Sequence, residues 1–283
     1  MVDELILSHS DLNSLHRHYI NLTCVDSGEA AKRTNEGKPK RYNFSAFVVD
    51  VGGVALAITA GHVFSELKKA VACGAKLSDW AIDDSMVSDH AFPAYPVSVD
   101  LERDVLFFDE DGLDYGAYIL DPMALIAMKQ SGVVPIAEAQ WNADDFPEFP
   151  FWTLVGLPTQ FATLSCAGPS IKNHVTVHLT GLEERPELLK QTKHQRLFAR
   201  VNFESVAEWE RKFDIGGMSG GPIFGTRSAP QGDSYDYRLI AIQSSWDERG
   251  NVAMCAAQPF LRALARLAQP DRSGEAGGSP EAA

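Results

Sequence analysis

Ser219 lies in the segment Gly216-Gly217-Met218-Ser219-Gly220-Gly221-Pro222, and a hydroxyl between glycines is a candidate nucleophile. Glycines on both sides permit a tight turn and leave room for a second molecule to approach the oxygen. In such a turn the N–H groups of Gly217 and Ser219 can meet the negative oxygen that develops when a carbonyl is attacked. A hydroxyl also needs a base, and imidazole is the side chain best matched to neutral pH. None of the chain's eight histidines follows Ser219. The order serine, acid, histidine, used by the Gly-x-Ser-x-Gly elbow of α/β-hydrolases, is therefore excluded.

The order histidine, acid, serine is available. His62 follows an apolar run in Ile58-Thr59-Ala60-Gly61-His62-Val63, where small residues allow a sharp exit from a strand. Asp114 opens a second apolar run, Tyr115-Gly116-Ala117-Tyr118, and can hold one imidazole tautomer while staying ionised itself. Asp104, in Asp104-Val105-Leu106, is the other candidate for the acid. Asp50 before His62 is similar to the subtilisin order, but the residues that should flank the histidine and the serine there are missing. His174 and His178 share one side of a strand without a third ligand at metal spacing, and read as a half-exposed pair.

Thr59-Ala60-Gly61-His62 resembles the Thr-Ala-Ala-His motif of the chymotrypsin/trypsin-like serine proteases. Asp114-Tyr115-Gly116-Ala117 is similar to their Asp-x-Ala-Leu element, and Gly217-Met218-Ser219-Gly220-Gly221-Pro222 to their Gly-Asp-Ser-Gly-Gly-Pro. The resemblance implies two six-stranded antiparallel β-barrels and a serine endopeptidase acting through His62, Asp114 and Ser219. It implies an oxyanion hole from the N–H groups of Gly217 and Ser219, an acyl-enzyme, and neither metal nor organic cofactor. Phe213 and Asp214 fall where relatives form the primary specificity pocket. Gln243, Ser244, Ser245 and Trp246 fall on the strand that pairs with substrate backbone. An intracellular bacterial-type member performing limited proteolysis of a specific protein is the expected case, and a catalytically silent peptide-binding module is the alternative.

Met218 departs from the family pattern, because secreted relatives place an aspartate there to pair with a new N-terminus after cleavage. That activation route is closed here, and a loop from Gly216 to Ser219 set by an activating protein partner or by the substrate is the expectation in its place.

The elements that must carry these residues read as strands. Short apolar or alternating runs bounded by Gly, Asp, Asn and Pro recur throughout, including Tyr19–Val25, Ser45–Val51, Val54–Thr59, Gly116–Leu120 and Arg238–Ser244. This all-β pattern suits paired barrels better than a parallel sheet, which needs a helix between most strands. Helices are expected at Ser10–His18, at Phe64–Val71 directly after His62, and at Pro259–Leu267 near the C-terminus. The expected organisation is an N-terminal extension (1–18), a first barrel (19–125), a connector (126–148), a second barrel (149–256), a C-terminal helix (257–268) and a disordered tail (269–283).

Composition narrows the partners. Apolar residues make up 45% of the 283-residue chain, enough for a substantial core. A formal charge of −13 argues against nucleic acid and against anionic membranes, leaving a polypeptide substrate as the expected partner. The first ten residues lack the basic and apolar regions of a signal peptide, and no run is long enough to span a bilayer. The four cysteines form no Cys-x-x-Cys pair and read as free thiols. Together these features predict a cytoplasmic protein.

Overall fold

Apolar residues dominate 46–51, broken only by Asp50, and also 54–59, with Gly52-Gly53 between them; the chain folds there into a hairpin that is buried over most of these two runs. The computed structural model describes residues 9–84, 87, 94–142, 149–159, 162–165, 168–171, 175–202, 215–228 and 235–268. The expected tail at 269–283, Phe213, Asp214, His174 and Cys166 lie outside the described residues.

A first sheet contains β1 (Tyr19–Asp26), β2 (Lys40–Val51), β3 (Val54–Thr59), β4 (Leu77–Asp83), β5 (Ala94–Pro96), β6 (Val105–Glu110) and β7 (Leu113–Ile119). Its strands run in the order β5-β4-β1-β2-β3-β7-β6, every pairing antiparallel. The second unit contains β8 (Phe151–Gly156), the hairpin β9 (Ala162–Ser165) and β10 (Gly168–Ile171), β11 (Val175–Leu182), β12 (Leu197–Val201), β13 (Pro222–Ser228), β14 (Tyr235–Trp246) and β15 (Asn251–Ala256). Six of these close into a barrel in the order β11-β12-β15-β14-β13-β8. The architecture is all-β, a closed six-stranded barrel joined to an antiparallel sheet, consistent with the expected two-barrel, chymotrypsin-like fold. The short edge strand β5 brings the first unit to seven strands.

Among the described residues six helices decorate the sheets: α1 (His9–His16), α2 (Glu29–Thr34), α3 (Gly61–Ala72), α4 (Pro122–Gln130), α5 (Glu138–Trp141) and α6 (Ala257–Ala268). Two, α1 and α3, differ from expectation at their ends. α1 stops at His16 because His18 is buried with its ring between the Val134 carbonyl and the Tyr237 hydroxyl. α6 fills the expected 257–268 span, starting directly from β15 two residues ahead of the periodic run at Pro259, and buries Ala257, Phe260, Leu261 and Leu264. α3 begins at Gly61, so His62 stands in its first turn.

The apolar interior is divided in three. One cluster, including Val48, Ala57, Phe64 and Ile82, fills the first sheet, and another, including Leu154, Val177, Ile223 and Met254, fills the closed barrel. The third lies between the units: Tyr19, Phe47, Ile58, Phe224, Ile242 and Phe260 join them along a shared face. That shared core fixes the two units against each other, so side chains from both can be held in one crevice.

Candidate active site

Helix α3 leaves its first N–H groups without intrahelical partners, and Asp114 on β7 supplies an acceptor there. Its Oδ1 accepts from the backbone N–H of His62 at 2.8 Å, and its Oδ2 lies 2.8 Å from Nδ1 of the same residue. One carboxylate thus grips His62 by backbone and by ring, and its negative charge sits favourably at a helix N-terminus. Asp114 is only 2% exposed, so its charge depends on donors rather than water. A third donor is the Ser244 hydroxyl, in a short hydrogen bond to Oδ2.

Burial pushes the Asp114 carboxyl up, but the bonds from His62 and Ser244 and the nearby imidazole outweigh it and hold the group below its ordinary value. An ionised carboxylate can only accept, so Nδ1 of His62 carries the proton and Nε2 of the neutral ring is left as an acceptor. For His62, burial pulls the pKa down. The Asp114 bond and charge, with smaller contributions from Glu66 and Asp109, raise it above 6.5 overall. Asp104, the other acid candidate, instead accepts from the Asp100 N–H in a turn.

Ser219 sits on the segment between Ile215 and Pro222, and its Oγ donates to the carbonyl of Ser244 at 3.4 Å. Ser244 therefore contacts Asp114 through its hydroxyl and Ser219 through its carbonyl. A bulge makes this geometry available. On β14, Gln243 pairs with Met254 and Ser245 with Ala253, so Ser244 is an extra residue without a ladder partner. A bulge re-aims the groups of the residue it inserts.

The Ser219 segment is tied to both units. Its Gly216 carbonyl accepts from Thr159 N–H at 2.7 Å, and its Met218 carbonyl accepts from Gly221 N–H at 2.8 Å. In a trans peptide the N–H points opposite the C=O, so these bonds turn the N–H groups of Gly217 and Ser219 away from Thr159 and Gly221. Gly217 has φ +92°, and a side chain there would press into Thr159. Gly220 has φ +88°, and a Cβ would overlap Thr59 and the backbone of Ser45 and Ala60. The residue after Ser219 thus packs directly on the strand end that leads to His62.

Two residues that the sequence did not single out brace this segment. The Ser45 hydroxyl on β2 donates to the Gly217 carbonyl at 2.9 Å, and the Tyr19 hydroxyl lies 3.0 Å from Ser45 Oγ. A serine inside the apolar run Phe44-Ser45-Ala46-Phe47 was the available signal. Met218 is fully buried and packs on Gly156 in the barrel core, so apolar contact anchors this position.

Of the residues expected on the substrate-pairing strand, Ser244 faces Asp114, and Ser245 Oγ accepts from Arg196 at 3.2 Å. Trp246 is half-buried at the end of β14 and packs on the barrel core. Gln243 is fully buried, and its carboxamide has no partner among the described residues. Its backbone brackets the Ser219 turn, accepting from Gly220 N–H at 2.9 Å and donating to Gly221 O at 3.0 Å. Cys24, Cys73 and Cys255 are free thiols. Among the described residues no side-chain cluster has metal-ligand geometry, and no helix is long and apolar enough to cross a membrane.

No protein-family model and no curated protein matches the chain. Solved structures that resemble it include proteases. The thermostable serine protease AL20, from an extremophilic microorganism, is 12% identical over 89% of this chain and 98% of its own, with a TM-score of 0.49. The active form of the Rv3671c protease from M. tuberculosis is 11% identical over 92% and 84%, with a TM-score of 0.45. The protease Anisep from Arthrobacter nicotinovorans is 12% identical over 85% and 90%, with a TM-score of 0.41.

Proposed function

We propose that this chain is a serine endopeptidase in which His62, Asp114 and Ser219 form the catalytic triad. The observation that carries the reading is the hydrogen-bonded chain from His62 through Asp114 and Ser244 to Ser219. It gathers residues from both units around one imidazole whose free nitrogen is an acceptor.

In this mechanism Nε2 of His62 takes the Ser219 proton as Oγ attacks the carbonyl carbon of a peptide bond. The carbonyl electrons move to oxygen, and the N–H groups of Gly217 and Ser219 stabilise that charge. Loss of one such donor typically costs about 10²–10³ in turnover. Asp114 stays ionised and stabilises the imidazolium, which then returns its proton to the leaving nitrogen. The acyl-enzyme is released by water through the same steps. Substrate backbone lies along the end of β14 beyond Ser244. Cleavage of a specific intracellular protein, in the cytoplasm and without a cofactor, completes the proposal by analogy with the resembling family.

A fluorophosphonate probe tests it. The wild-type chain is expected to be labelled at Ser219, and Ser219→Ala to abolish labelling. Hydrolysis of a denatured protein, again lost in Ser219→Ala, separates a peptidase from an esterase. A folded wild-type protein that is not labelled would leave the peptide-binding module as the better reading.

A further inference from the structure

Behind Asp114 the structure contains a cavity of about 450 Å³ that includes neither His62 nor Ser219. Leu113 and Tyr115 line it, and because strand side chains alternate, it lies on the face of β7 opposite the Asp114 carboxylate. Trp141 from α5 and Gln258 from α6 contribute further walls, so both units and the connector between them border the space. Its volume falls within the range of small-molecule sites, about 300–1,000 Å³.

Two arginines line the cavity, in a chain whose formal net charge is −13. Arg196 lines the cavity, and its Nε and Nη1 donate to neutral oxygens, Gly112 O at 3.1 Å and Ser245 Oγ at 3.2 Å. Among the described residues it has no carboxylate partner. Arg238 also lines the cavity; its Nη1 pairs with Asp236, while its buried Nε–H has no acceptor among the described residues. A planar fork with unused N–H groups beside aromatic and aliphatic walls suits a carboxylate attached to a flat apolar body.

We propose that this cavity is a second ligand site, taking a small aromatic carboxylate whose charge pairs with Arg196 and whose ring packs against Tyr115 and Trp141. The site is independent of the triad assignment. Calorimetric titration of the purified chain with 2-naphthoate and indole-3-carboxylate, each beside its uncharged carboxamide, tests it. Each acid is expected to bind at least about tenfold more tightly than its amide, as fits a charge-assisted contact. Arg196→Gln should remove that preference, and Gln258→Trp should weaken acid and amide together by filling the space. Equal binding of acid and amide to the wild type, or no binding of either, overturns the proposal. So does an acid preference that survives Arg196→Gln, or binding untouched by Gln258→Trp.

Discussion

The hydroxyl of Ser244 donates to Oδ2 of Asp114, the same oxygen that faces Nδ1 of His62. A buried carboxylate with three donors has little freedom to rotate, and the imidazole inherits that order. Ser244→Ala removes one donor to an ionised group, an interaction generally worth about 1.5–3 kcal/mol. Expected outcomes are a lower melting temperature and at least about tenfold slower fluorophosphonate labelling. Unchanged labelling would mean that the two His62 contacts alone fix the acid.

Asp114→Asn keeps the shape of the side chain but presents an NH2 group that competes for the wrong imidazole tautomer. In an analogous triad this change costs about 10⁴ in turnover. The pH profile carries a further signature. His62 must be neutral to act as a base, and its pKa is raised, so the acidic limb of kcat/KM should lie above pH 6.5 in the wild type. Asp114→Asn should move that limb downward, since the raising influence is lost while burial remains.

Stability should follow the same pair with opposite signs. The raised pKa of His62 contributes stability that is full below 6.5 and lost as pH rises through the folded value. The lowered pKa of Asp114 contributes stability present above 3.8 and lost as pH falls through its folded value. The difference in melting temperature between wild type and Asp114→Asn is therefore expected to peak between about pH 4 and 6.5. A difference that grows steadily toward alkaline pH would contradict the assignment.

Met218 and Ser45 hold the Ser219 segment from opposite sides. Met218→Asp would bury a carboxylate in the barrel core and should cost several kcal/mol, about the penalty for an unpaired buried charge. Met218→Leu keeps the volume and should cost less than about 1.5 kcal/mol. With both anchors intact, the purified chain is expected to label without any added protein. Labelling that requires a second protein would support the partner-activated loop expected from the missing aspartate.

Ser45→Ala frees the Gly217 carbonyl while leaving Ser219 and His62 untouched. The expected result is a fall in kcat of about tenfold or more with KM little changed, because the loop carrying the N–H groups of Gly217 and Ser219, proposed to meet the developing oxyanion, loses a tether. A rise in KM at constant kcat would assign Ser45 to substrate binding.

The strand-rich pattern, the residue order from His62 through Asp114 to Ser219, and the long C-terminal helix were legible in the sequence. Each is local: alternation, turn residues and short motifs state their own conformation. Tertiary structure alone decided that Asp114 rather than Asp104 meets His62, since both open apolar runs and only the β3–β7 register separates them. It also decided the roles of Ser45, Ser244 and Met218. A bulge redirects Ser244 from a place in the ladder toward Asp114, and packing between the two units sets Ser45 under Gly217. The sequence of a strand gives the alternation of its faces, but which distant segment each face meets depends on long-range pairing and on the core the two units share.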